Sequence, residues 1–98
     1  VAEEFEHAGV PYSIQFAYDM DAWCMELSEA NAVTRLPGPA FLVAVVPDED
    51  MGPEPTIHVG STGERDIPYE VMRWFMAKVA EQVEQRGAGL IETGRHGT

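Results

Sequence analysis

One cysteine, Cys24, stands in the whole chain, so an internal disulfide framework is excluded, and so is a metal cage of clustered thiolates. This fits a reducing compartment, and a cytoplasmic location is expected. Basic residues are scarce too: six Lys and Arg face 17 Asp and Glu, for a net charge of −11. Direct binding to a phosphate backbone needs cationic side chains to replace counterions, so neither nucleic acid nor an anionic membrane surface is an expected partner. The longest apolar run, Ala40 to Pro47, falls far short of the roughly 20 residues of a membrane-spanning helix. Glu3, Glu4 and Glu6 precede any Lys or Arg, which is not the basic-then-apolar order of a secretory leader. No internal repeat is visible.

What is present describes one globular domain over residues 1–98, with residues 89–98 expected as a flexible tail. At 45% hydrophobic, a chain of 98 residues has room for a single core. Its charge is uneven. Residues 1–34 contain acids and no Lys or Arg, whereas acids and bases balance over residues 67–98. A basic protein is the natural partner for such a surface.

Periodicity supplies the expected elements. Ala2 to Ala8 reads as a short helix stopped by Gly9. Tyr12, Ile14, Phe16 and Tyr18 alternate with Ser13, Gln15 and Ala17, as in a half-buried strand. Asp19 and Asp21 suit a helix start, and Met20, Trp23, Cys24, Leu27, Ala30 and Thr34 follow at helical spacing, predicting a helix to about Val33 that Pro37-Gly38-Pro39 terminates. The apolar run Phe41 to Val46 suits a central strand. Across an acidic loop, Thr56 to Gly60 suits a short antiparallel partner. Asp66 and Pro68 open a last helix whose stripe is Val71, Met72, Phe75, Met76, Val79 and Val83, with Gly87 as its stop. The expected fold is therefore α+β: a small three-stranded mixed sheet in the order strand-helix-strand-strand-helix, with the two main helices on one face. Its other face would present Ser13, Gln15 and Ala17, one set of the central strand's side chains, and Thr56 with His58. Either a second copy or the segment Ala2 to Ala8 would cover it.

No residue group amounts to a recognisable active site. Gly60, Ser61, Thr62 and Gly63 join a strand to a helix, where some proteins hold phosphate on backbone N–H groups, but the lysine of a P-loop is missing and Glu64 and Asp66 would repel an anion. His7, His58 and His96 are far apart in the chain and match no metal-ligand spacing. Asp48, Glu49, Asp50 and Glu54 lack the alternating pattern of a calcium loop. Cys24 beside Trp23 and Leu27 reads as a small buried hydrophobe. No cofactor is expected. Trp74 falls off the apolar stripe of the last helix, where it either packs on a neighbouring element or on Lys78, or anchors a partner. Met25 falls opposite the stripe of its own expected helix. Trp74, Lys78, Met25, His58 and Gln15 are the candidate interface residues.

These features favour a non-enzymatic, acidic interaction or regulatory module that forms a homodimer or binds another protein. The alternative is a small-molecule-binding domain or minor enzyme with a pocket near the turn over residues 59–69.

Overall fold

The computed structural model describes residues 2–19, 21–48, 54–60 and 65–95, with side chains described to residue 85 of the last helix. Five strands, β1 (Ala2–His7), β2 (Val10–Asp19), β3 (Ala22–Glu29), β4 (Leu42–Pro47) and β5 (Thr56–Val59), precede one helix, α1 (Tyr69–Arg95). The strands pair in chain order and every pair is antiparallel. The architecture is thus a five-stranded antiparallel meander under one helix. It replaces the expected three-stranded mixed sheet with two main helices.

The strand over Tyr12–Tyr18 and the β5 segment with its antiparallel partner lie where periodicity puts them, while the last helix starts at Tyr69, with the Pro68 carbonyl accepting from the Met72 N–H, and not at a cap on Asp66. Two expected helices are strands instead. Ala2 to Ala8 becomes β1 because Glu3, Phe5 and His7 align with Ile14, Tyr12 and Val10, so Phe5 joins the apolar face of β2. Residues 22–29 become β3 because Trp23, Met25 and Leu27 alternate, whereas only Trp23 and Leu27 share a helical stripe, and Met25 and Leu27 pair with Phe16 and Ile14. Asp19 ends β2, paired with Ala22 of β3, and Asp21 lies in the connection between these strands, so neither caps a helix. The run Phe41 to Val46 supplies β4, which lies one strand from the edge and not at the centre. Finally, α1 continues past the expected stop at Gly87 to Arg95, while residues 96–98 lie outside the described chain.

Side-chain alternation gives the sheet two faces. Tyr12, Ile14, Met25, Leu27, Leu42, Ala44 and Val46 are buried on one of them together with Val71, Phe75 and Val79 of α1. The helix is fixed laterally at β1: Trp74 stacks on Phe5 with ring centroids 5.1 Å apart, and Lys78 Nζ lies 2.8 Å from the Glu3 carboxylate. Ahead of α1, Arg65 pairs with Glu29 and sits 4.3 Å over the Phe41 ring.

Between β1 and β2 the turn residues Ala8 and Gly9 both have positive φ, 51° and 81°, the signature of the tight hairpin turn whose twist matches the flanking strands. Glycine takes this conformation freely and alanine does not. Ala8→Asn should therefore stabilise the fold by up to about 1 kcal/mol. A thermal melt that rises by a few degrees would bear this out; an unchanged or lower midpoint would not.

Candidate functional site

The face of the sheet opposite α1 carries the residues left over from the core. Across β1, β2 and β3, Glu4, Ser13 and Ser28 form one row. The next row runs Gln15, Glu26, Val43 and His58 over β2 to β5, and the one after it runs Ala17, Cys24, Val45 and Thr56. Among the described residues no helix or strand lies over this face. Glu4, Gln15, Ala17, Thr56 and His58 are exposed, and Cys24, Glu26, Val43 and Val45 are half-buried.

Ser13 and Ser28 are the exceptions, at 1% and 2% exposure. Their short side chains sit opposite one another across the β2–β3 ladder. Neither hydroxyl has a hydrogen-bond partner among the described residues. On either side of this pair stand Glu4, across from Ser13, and Glu26, two positions along the strand from Ser28. Neither carboxylate has an ion pair among the described residues. Glu6, by contrast, is 3.7 Å from Arg35. That arginine projects from the turn over residues 31–36, where the Asn31 side chain accepts hydrogen bonds from the backbone N–H groups of Val33 and Thr34. The loop returns to the sheet at Gly38, whose N–H donates to the Glu29 carbonyl. A Cβ at position 38 would lie 3.0 Å from that oxygen, so glycine is what permits the approach.

No protein-family model, curated protein or solved structure matches the chain. The chemistry is therefore read from these residues alone. The Glu4 and Glu26 carboxylates are the acids in the three rows of the open face and no Lys or Arg stands in them, an arrangement suited to a cation. Among the described residues, no group of three or more His, Cys, Asp or Glu is placed to hold a metal ion.

The five residues expected at an interface are distributed over both sides of the sheet. Gln15 and His58 share the open face, in the same row as Glu26. Trp74 and Lys78 lie on the opposite side against β1, and Trp74 packs on a neighbouring strand rather than pointing into solvent. The ammonium of Lys78 is held protonated above the usual lysine range, first by its hydrogen bond to Glu3. Met25 is fully buried beneath α1, because strand alternation turns it inward where helical spacing had turned it out. The same change moves Cys24 off the core: it is half-buried on the open face, between Ala17 and Val45. Gly60 donates its N–H to the Phe41 carbonyl, while Ser61, Thr62 and Gly63 lie outside the described residues. In the sequence, Glu4 reads as sharing a first helix with Glu3 and His7, and nothing there brings it together with Glu26 and Ser28. The alternation of Cys24, Glu26 and Ser28 against Trp23, Met25 and Leu27 is the signal that would have found the last two.

Among the described residues, no helix is long and apolar enough to cross a membrane.

Proposed function

We propose that the chain is a non-enzymatic, acidic protein-interaction module whose open sheet face receives a basic side chain of a protein partner. The observation that carries this reading is the two carboxylates, Glu4 and Glu26, that have no ion pair among the described residues and flank the buried Ser13 and Ser28 on the open face. An ammonium or guanidinium placed between Glu4 and Glu26 would donate to both carboxylates, and such charge-assisted bonds are the stronger kind. Phosphate groups would meet the same oxygens with repulsion, which argues against nucleic acid and anionic lipid. A second copy is also a poor occupant of this face, since a face-to-face stack would bring the carboxylates of two strongly acidic surfaces together. The single cysteine supports a cytoplasmic setting as part of this reading.

The test is calorimetric titration with a short lysine- and arginine-rich peptide at about 150 mM salt, where long-range attraction is screened. Two double variants of equal charge are compared. Glu4→Gln with Glu26→Gln should weaken binding by roughly tenfold or more, whereas Glu54→Gln with Glu84→Gln, which alters exposed carboxylates elsewhere, should leave it nearly unchanged. Equal losses in both would reduce the effect to net charge and reject the site.

A further inference from the structure

The two edges of the sheet differ in charge. β1 bears Glu3, Glu4 and Glu6 within six residues, a common way of keeping an edge from pairing with another chain. β5 reads Thr56, Ile57, His58 and Val59 and carries no carboxylate. In a chain of net charge −11, it is the edge that a second copy can approach without setting acids against acids.

β5 also leaves apolar surface in water. Ile57 and Val59 pair with Ala44 and Leu42, so their side chains lie on the helix side of the sheet, yet they are 39% and 70% exposed. The cause is the lateral position of α1. Trp74 and Lys78 reach β1, and at 100° per residue this turns Tyr69, Met72 and Met76 toward β5. Of these, Tyr69 and Met76 are exposed.

The backbone fixes which groups face outward. The Gly60 N–H donates to the Phe41 carbonyl, and antiparallel ladders alternate. Thr56, His58 and Gly60 therefore direct their N–H and C=O groups at β4, while those of Ile57 and Val59 point away from the sheet.

We infer that two copies of the chain pair through β5, antiparallel and two-fold about His58, so that the outward N–H and C=O groups of Ile57 exchange hydrogen bonds with those of Val59 of the second copy, and the reverse. The register is self-complementary. It places Ile57 beside Val59 of the second copy on the helix side, so the exposed apolar side chains of both edges merge into one strip between the two helices. A two-fold arrangement closes the assembly and leaves the β1 edges outermost. The open face remains uncovered, so this pairing and the binding of a basic partner stand or fall separately. A four-residue strand offers less contact than the roughly 1,600 Å² of a standard interface, and the dimer is expected to dissociate on dilution, with a constant in the micromolar to millimolar range.

Sedimentation equilibrium of the chain alone, with no peptide present, tests the pairing. The mass should rise with concentration from 10.8 kDa toward twice that value. Val59→Pro removes one outward N–H and no hydrogen bond inside the sheet, and proline is accepted on an edge in that position; this variant should stay at 10.8 kDa while its circular dichroism remains that of the unaltered chain. Should it fail to fold, Ile57→Lys makes the same test by placing like charges at the contact. A mass of 10.8 kDa for the unaltered chain at every concentration up to about 1 mM would overturn the inference and leave the edge to an extended peptide of another protein. Dimerisation of a folded edge variant as strong as that of the unaltered chain would overturn it too.

Discussion

Phe75→Ala is expected to lower the stability of the fold by about 3–5 kcal/mol. The ring is fully buried at the centre of the helix stripe, between Val71 and Val79 and over the floor of Ile14, Met25 and Leu27. Its removal forfeits both the transfer of an aromatic side chain and the packing around the space left behind. A domain of this size holds only about 5–15 kcal/mol in total, so the loss approaches the whole margin at the lower end of that range. The neighbouring Met76 is exposed, and Met76→Ala should cost less than about 1 kcal/mol. Urea unfolding of the two variants separates these cases, with the midpoint dropping sharply for the first and little for the second. A loss below about 1 kcal/mol for Phe75→Ala would mean that α1 does not seal the core.

The elements legible in the sequence were those in which only one period fits. From Tyr12 to Tyr18 every second residue is aromatic or aliphatic, and no helical stripe competes. Val71, Phe75 and Val79 repeat every four residues, and no alternation competes there. β3 is different. Trp23 and Leu27 belong equally to a strand face and to a helix stripe, and with Met20, Cys24 and Ala30 completing the helical set, the carboxylates at Asp19 and Asp21 read as caps. What decided the outcome is not local: β3 lies between β2 and β4, and its apolar side chains find partners on both. β1 was obscured for a similar reason, since a helix and an acid-bearing edge strand both accommodate Glu3, Glu4 and Glu6, and only the pairing of Phe5 with Tyr12 distinguishes them.

The open face was partly legible. Ser13, Gln15 and Ala17 on one side of β2, with Thr56 and His58 on β5, followed from alternation alone, and the set contributed by β4 is Val43 and Val45. Its chemical centre was not legible, because Glu26 and Ser28 had been assigned to a helix and Glu4 to another. Correcting β1 and β3 from helix to strand therefore does more than revise the topology: it brings Glu4, Glu26, Ser13 and Ser28 together. The two surfaces proposed above divide by charge: acids stand on the open face proposed for a cationic partner, and the β5 edge proposed for a second copy carries no carboxylate.

Adjacent substitutions in β3 test this arrangement most severely. Met25 is fully buried, paired with Phe16 and Ala44 across its two ladders, and Met25→Lys would carry an ammonium into that apolar layer. An uncompensated buried charge costs several kcal/mol, a large share of the stability available, so the variant is expected to be unfolded or insoluble at 25 °C. Met25→Leu, which keeps the volume and the apolar character, should cost less than about 1.5 kcal/mol. One residue later, Glu26→Lys keeps its side chain on the open face, so the change should be within about 0.5 kcal/mol and the protein should remain folded. A helix over the same segment makes the opposite forecast. Its buried stripe would be Met20, Trp23, Cys24 and Leu27, with Met25 on the outer side, so lysine would be harmless at position 25 and ruinous at position 24. Circular dichroism and denaturant midpoints for lysine at positions 24, 25 and 26 discriminate directly: a collapse confined to position 25 follows from strand alternation, and a collapse confined to position 24 would return the segment to a helix and dissolve the open face with it.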